Sequence, residues 1–514
     1  MPSEVQSAAL AEAPREGFVE RRKIGFVSLG CPKNLVDSEV MMGLLHRAGA
    51  QITTSAEDAD VIVVNTCSFI DSAKQESVDT ILEMARHKVS AGGRAQRLIV
   101  AGCLVERYRS EIQKNIPEVD AVVGTGELNQ ILEAAGVSAP QAAIAQPPSP
   151  FNILVDRAPS AVHVHSRPEG DARERDGRFS RESWDGAIAS LPNYLMDEHT
   201  PRLLSTGKTS AYLKIAEGCD HPCSFCIIPQ LRGKFRSRHF ESVLAEARHL
   251  AASGVGEITL IGQDTTCYGE DLGIKDGLAL LLERLAGIEG LRWVRFLYAY
   301  PNKITGRLLD TIARHDKIAS YMDVPLQHAS AGVLKRMKRG GSGDIFLKSI
   351  AKMRTAIPNL TLRTSFIVGF PGESEADFNE LVDFVKAAQI DWLGVFSYSD
   401  EEGAQAFSLD ADLKVPPREI ERRRRKLMSA QKQISRKLKR RWIGRELDLL
   451  IEGPSEETDL LWEGRTIMHA PEIDGKVYIN DFGDRESLEP GAFYRCQITE
   501  SHDYDVVARI LTKL

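Results

Sequence analysis

The sequence predicts an α/β chain in three successive parts: an amino-terminal parallel βα sheet, a central incomplete (βα)6 barrel and a small carboxy-terminal β-barrel. Three observations lead there. Between residues 23 and 116, short β-branched runs alternate with helical periodicities. The same alternation returns between residues 211 and 398, now with six strand-like runs. Beyond Gly444 the pattern changes to five short alternating strands separated by turn residues.

Length and composition are compatible with this division. A chain of 514 residues exceeds one typical domain, and 43% hydrophobic with 27% charged residues excludes wholesale disorder. Residues 1–21 lack an apolar core or a cleavage-like site and read as a disordered tail rather than a signal peptide. No apolar run is long enough to span a membrane, so a cytoplasmic protein is expected. Eight cysteines in so long a chain are too few for a disulfide framework, and a reducing compartment would keep them available for metal.

The first part covers residues 22–135. Apolar runs at 24–31, 61–67 and 98–103 are followed by helical stretches at 37–48, 71–87 and 105–116, the signature of a parallel sheet with crossover helices. Each run ends in a cysteine: Cys31, Cys67 and Cys103, at intervals of 36 residues. The carboxyl edge of such a sheet is where ligand sites form, so three strands can deliver three thiols to one point. Three buried structural thiols are the plainer alternative. Residues 136–204, with Pro140, Pro147, Pro148, Pro150 and Pro168, read as a connector, and the charged patch at 167–182 as a solvated loop.

The second part covers residues 205–441, with strands expected at 211–216, 257–262, 292–298, 321–325, 361–368 and 392–398. Directly after the first strand come Cys219, Cys223 and Cys226, three thiols within eight residues at C-x3-C-x2-C. Structural zinc and electron-carrying iron–sulfur sites close with four protein ligands, so a compact group of three leaves a metal position open for chemistry, the plainer alternative being a structural metal knuckle with a distant fourth ligand. Later strand ends carry Gln263, Gln327 and Gly369, candidates for lining a cofactor and substrate cavity. Arg232, Arg236 and Arg238 either pair with carboxylates of a ligand or are surface charges. Cys267 and Cys496 read as inert thiols. The basic segment 416–441 carries 12 cations against 2 anions, whereas residues 445–514 carry 7 against 16. The five strands of the third part, residues 442–514, lie at 447–451, 461–463, 476–479, 492–498 and 505–511.

The C-x3-C-x2-C loop resembles the signature of the radical S-adenosylmethionine (SAM) enzymes, in which a 4Fe-4S cluster on three cysteines binds SAM at its open iron and cleaves it to a radical. Residues 28–39, Asn65-Thr66-Cys67-Ser68-Phe69-Ile70 and Ala101-Gly102-Cys103 resemble the amino-terminal domain of the methylthiotransferases. Residues 470–475 and their surroundings resemble the TRAM domain that ends those enzymes. The resemblance implies two 4Fe-4S clusters, one on Cys219, Cys223 and Cys226 and a second, sulfur-presenting one on Cys31, Cys67 and Cys103. It also implies SAM as cofactor and Phe225 beside its adenine. No Ser/His/Asp nucleophile set is evident, and none is needed for a carbon–hydrogen bond.

Gly30-Cys31-Pro32-Lys33-Asn34, Gly262-Gln263-Asp264 and Pro325-Leu326-Gln327-His328 resemble the branch that modifies ribosomal protein. That resemblance implies methylthio transfer to an aspartate β-carbon of ribosomal protein S twelve of the small subunit, with a low-potential electron donor and a sulfur source as further partners. The alternatives are a transfer-RNA (adenosine) methylthiotransferase of the MiaB type and, more distantly, a non-catalytic iron–sulfur carrier. An acidic terminal part repels nucleic acid and favours a basic protein. The basic helix before it is either a solvated face or a contact for ribosomal RNA.

Overall fold

The computed structural model describes residues 22–137, 191–206, 210–455, 457–458 and 460–514. The expected tail and the charged patch at 167–182 lie outside the described residues.

The amino-terminal sheet is all-parallel, in the order β2-β1-β3-β4-β5. Its strands are β1 (Lys23–Ser28), β2 (Gln51–Thr53), β3 (Val61–Thr66), β4 (Arg97–Gly102) and β5 (Ala121–Val123). The edge strands β2 and β5 escape sequence reading because three residues are too few to show a period. Helices α1 (Pro32–Arg47), α2 (Asp71–Ala85) and α3 (Cys103–Asn115) follow the three central strands. The first helix starts five residues earlier than its apolar periodicity indicates, because Pro32 at the first helical position fixes a helical φ and has no N–H to leave unpaired.

The central part has the six expected parallel strands: β6 (Ser210–Lys214), β9 (Glu257–Ile261), β10 (Trp293–Phe296), β11 (Tyr321–Asp323), β12 (Thr361–Val368) and β13 (Trp392–Ser397). Between the first two lie the short antiparallel strands β7 (Ala216–Glu217) and β8 (Arg236–Ser237). The six form two parallel sheets, β10-β9-β6 and β11-β12-β13, joined where Val294 bridges Ile318. The wall is therefore an incomplete barrel, whose outward side chains such as Leu213, Leu260, Phe296, Met322 and Phe366 are buried against the surrounding helices through Leu244, Leu281 and Leu381, while the alternate positions Lys214, Thr259, Arg295 and Asp323 face the other way.

The carboxy-terminal part is a closed barrel of order β14-β15-β16-β18-β17. Its strands are β14 (Glu446–Pro454), β15 (Trp462–Thr466), β16 (Val477–Asp481), β17 (Phe493–Ser501) and β18 (Val506–Lys513). This barrel seals the amino ends of the central strands. Trp392 donates its indole N–H to the Met468 carbonyl at 3.1 Å, Tyr321 its hydroxyl to Asp474 at 2.7 Å, and Arg465 pairs with Glu257 at 2.8 Å. Trp293 meets Phe493 edge-on at 4.8 Å. Glu257, Trp293, Tyr321 and Trp392 each begin a strand, so the opposite, carboxyl end is left for the loops.

The amino-terminal sheet docks on the side of the central barrel through α1, where Val36, Met41 and Leu45 share one core with Tyr212, Ile261 and Leu297. A buried Arg107–Glu401 pair at 2.6 Å adds a second junction. The end of the expected connector is packed rather than loose. Met196 is buried, and Arg202 pairs with Glu39 of α1 at 2.5 Å and with Glu246 at 2.8 Å. The basic helix Pro417–Lys439 lays Leu427 and Ile434 on the central core, and much of its charge is answered locally. Arg422 and Arg423 pair with Glu419, Arg424 and Arg425 with Glu421, and Lys432 and Arg436 with Asp503.

Candidate active site

Sheet register brings Cys31, Cys67 and Cys103 together. Ser28 pairs with Asn65 and Asn65 with Ala101, so all three cysteines lie two or three residues beyond one transverse row. The 36-residue spacing reflects strand–helix units of nearly equal length: the row positions are 37 and 36 residues apart, and Cys31 lies one residue further beyond the row than the other two. Side chains stitch these strand ends together. Asn65 donates to the Asn34 carbonyl at 2.8 Å, Asn34 to the Leu29 carbonyl at 2.6 Å, and Thr66 to the Ala101 carbonyl at 2.6 Å. Ser77 brackets Cys67, accepting from its N–H at 3.1 Å and donating to its carbonyl at 2.9 Å.

Two glycines make room for the thiols. Gly30 has φ +90°, and a Cβ there would come within 3.0 Å of the Cys67 sulfur. At Gly102, φ +94°, a Cβ would meet Asn65 Oδ1 at 2.3 Å. No L side chain fits either position without displacing the cysteine loops.

The second group is local. Cys219, Cys223 and Cys226 follow β7, whose pairing with β8 closes the loop at its base, and Cys219 N–H donates to the Gly233 carbonyl at 3.2 Å. Cys226 N–H turns back to the Cys223 carbonyl at 3.2 Å. Between them, Ser224 is pinned by its N–H to the Met337 carbonyl at 3.1 Å and by its hydroxyl to the Arg336 carbonyl at 2.8 Å. Phe225 packs against the apolar group of Val333, Met337, Phe370 and Ala406. His221 stacks on Tyr300 at 3.9 Å and shares a 2.6 Å hydrogen bond with Asp264. Arg339 lies over the other side of this corner, 4.5 Å from the Tyr300 ring centre, and donates to the Cys223 sulfur at 3.5 Å.

The two groups adjoin. Cys103 packs with Ile227 and Leu231, just beyond Cys226. A buried charge quartet runs between them: Asp37 of α1 with Lys214 and Arg232, and Glu217 with Lys214 at 2.8 Å. Gln263 donates to Glu217 at 2.7 Å and so is tied to this quartet. Lys214 and Arg232 hold the Glu217 carboxyl down to about 2 against the opposing effect of burial, which is the largest single influence on it.

The donor sets fit iron–sulfur clusters. Burial pushes the Cys103 and Cys219 thiols up to about 12 and raises Cys67 and Cys226 as well. Such thiols become thiolates only beside a cation, and a coordinated metal supplies one. Cys267 instead donates to Asp264 at 3.1 Å and Cys496 is buried in the terminal barrel, so each group has three cysteines.

The other expected residues have specific settings. Gln327 has φ +72° and bridges Phe366 through its backbone. At Gly369 the direction of a Cβ is filled by Ile420 of the basic helix, so helix packing alone already requires glycine there. Arg232, Arg236 and Arg238 all have internal partners: Arg232 has Asp37, Arg236 the Lys234 carbonyl and Arg238 Glu246. Arg232 and Arg238 are therefore neither free surface charges nor free to clamp a ligand carboxylate, whereas Arg236 meets only carbonyl oxygens. Asp264, at the end of the second central strand, is legible as a candidate for lining the cavity, but its pairing with His221, and the places of Tyr300 and Arg339, are not. Their partners lie tens of residues away and leave no local period.

An open parallel barrel with a three-thiol loop after its first strand is the architecture of the radical SAM enzymes, and residues 213–385 match the Radical SAM superfamily. Residues 23–124 match the "Uncharacterized protein family UPF0004" and residues 443–511 the TRAM domain. A protein of Koribacter versatilis named "Ribosomal protein uS12 methylthiotransferase RimO" is 72% identical over 99% of this chain and 100% of its own length. Proteins of the same name from Solibacter usitatus and Geobacter sulfurreducens are 55% and 46% identical, over 95% and 96% of this chain and 95% and 99% of theirs. The chain belongs to the RimO family of radical SAM methylthiotransferases.

Proposed function

We propose that this enzyme transfers a methylthio group to the β-carbon of an aspartate in ribosomal protein uS12, with Cys219, Cys223 and Cys226 holding one 4Fe-4S cluster and Cys31, Cys67 and Cys103 a second. The observation that carries the two-site reading is the sheet register that converges three strand-end thiols beside the C-x3-C-x2-C loop. When bound, the first cluster with SAM supplies hydrogen-atom abstraction, and the second supplies the sulfur.

The chain's own residues organise the space between. Ser224 and the β7–β8 pairing hold the loop rigid, and Arg339 and Arg232 bring guanidinium groups to one cysteine of each set. Gln263, linked to Glu217, presents an amide at the same strand edge, and its buried Oε1 has no hydrogen-bond partner among the described residues. That orphaned acceptor supports a role for Gln263 in binding SAM. Phe225, Gln327 and Gly369 complete the proposed cofactor-binding set. No described helix is long and apolar enough to cross a membrane, which accords with a cytoplasmic, ribosome-associated reaction. A low-potential one-electron donor and a sulfur source complete the requirements.

Relatives named for uS12, and the acidic terminal barrel, favour a basic protein substrate over transfer RNA. The test offers anaerobically reconstituted enzyme, with SAM, reductant and sulfide, a uS12 peptide or transfer RNA. Methylthio addition to the peptide aspartate by mass spectrometry is expected; addition to RNA and not to peptide would overturn the proposal.

A further inference from the structure

Arg232 ends the short helix Ile228–Arg232 that follows Cys226, yet its side chain turns into the amino-terminal domain. It is 2% exposed. One guanidinium nitrogen, Nη1, lies 2.5 Å from Asp37 Oδ2 and 3.5 Å from Glu217 Oε2. The other, Nη2, reaches Asn34 Oδ1 at 3.3 Å and the Cys103 sulfur at 3.5 Å. Asp37 and Asn34 belong to the helix that starts after Cys31, and Glu217 lies two residues before Cys219. One side chain thus touches the supports of both cysteine groups.

Charge balance does not account for this placement. Lys214 and Arg232 already match Asp37 and Glu217, so the quartet is neutral without any sulfur contact. The N–H aimed at Cys103 is an additional feature, in a water-excluded setting where a hydrogen bond to charge is electrostatically stronger. Hydrogen bonds to a ligand sulfur stabilise the more negative, reduced form of an iron–sulfur cluster and raise its potential.

We infer that Arg232 is a positioning residue which, through its hydrogen bond to the Cys103 sulfur, raises the reduction potential of the cluster held by Cys31, Cys67 and Cys103 while tying that site to the Glu217–Cys219 loop. The inference rests on the proposed second cluster. Arg339, on Cys223, stands in the corresponding relation to the other group.

The test is an EPR-monitored redox titration of full-length protein in which Cys219, Cys223 and Cys226 are all Ala, so that only the second site is loaded, compared with the same protein carrying Arg232→Lys or Arg232→Gln. Both substitutions should shift the midpoint to lower potential, Gln further than Lys. Because Arg232→Gln leaves Asp37 and Glu217 with Lys214 alone and risks misfolding, a second measurement uses the arginine itself. In protein labelled with 15N-arginine, electron–nuclear double resonance of the reduced second cluster should show a 15N coupling that Arg232→Lys abolishes. An unchanged midpoint in Arg232→Lys together with no 15N coupling would overturn the inference alone. A triple-alanine protein that binds no iron would overturn the two-cluster reading and this inference with it.

Discussion

The two cysteine groups are built in opposite ways. Cys219, Cys223 and Cys226 share one loop, closed by its own turn and by the two-residue pairing of β7 with β8. Cys31, Cys67 and Cys103 meet only because three strands keep register, with Gly30 leaving the Cys67 sulfur uncovered and Gly102 leaving room for Asn65 and Thr66. The first site depends on local chain geometry, the second on a whole domain. Damage to the amino-terminal fold should therefore empty the second site and leave the first intact, which makes the comparison breakable by experiment.

The largest such effect is expected at Gly102. Its φ of +94° with ψ of −154° is accessible almost only to glycine, and a Cβ would sit 2.3 Å from Asn65 Oδ1 and 2.7 Å from the Thr66 carbonyl. Strain and overpacking together place the cost of Gly102→Ala at about 4 kcal/mol. Iron analysis and denaturant unfolding of the reconstituted protein should show a lower midpoint and loss of the second cluster's iron, with the first cluster's EPR signal retained.

The buried quartet that joins the sites sharpens the comparison through pH. Glu217 is held at about 2, below the ordinary 4.5, so its carboxylate form is favoured by folding. That stability is fully present above pH 4.5 and is lost as pH falls through the lowered folded-state value. Glu217→Gln should be less stable at pH 7 by about 3 kcal/mol, because it leaves Lys214 and Arg232 with Asp37 alone of the quartet's two carboxylates. Its stability should also decline less steeply below pH 4.5, as measured by urea unfolding across the range.

The smallest effect lies at the terminal barrel, at the other end of the central strands. Asp481, Asp484 and Glu486 are exposed on it. Replacing all three with Lys should weaken binding of the basic uS12 peptide about tenfold at low salt, with the difference shrinking as salt rises. Fluorescence anisotropy at two ionic strengths checks this.

The contrast between the sites also explains what was legible in sequence. The loop group is spelled in eight consecutive residues, and the strand group became visible once Cys31, Cys67 and Cys103 were seen to share a place in a repeated βα unit. All six central strands and all five terminal strands announced themselves by period and length. Hidden were relations with no local pattern. Arg232 reaches Asp37 across 195 positions, and the terminal barrel seals the strands' amino ends through Tyr321 and Trp392. Likewise the packing of residues 191–206 rests on Arg202 finding Glu39, a partner 163 positions earlier. Sequence spacing marks which residues carry chemistry, while buried ion pairs between distant segments decide how they are held.

The division of labour between the groups is tested most directly by comparing Cys103→Ala with Cys226→Ala. Each variant receives SAM, reductant, sulfide and the uS12 peptide, and 5'-deoxyadenosine and methylthiolated peptide are quantified together. Cys103→Ala should still cleave SAM but form no methylthiolated peptide, and Cys226→Ala should do neither. Methylthiolated peptide from Cys103→Ala at the unsubstituted enzyme's level would contradict the account.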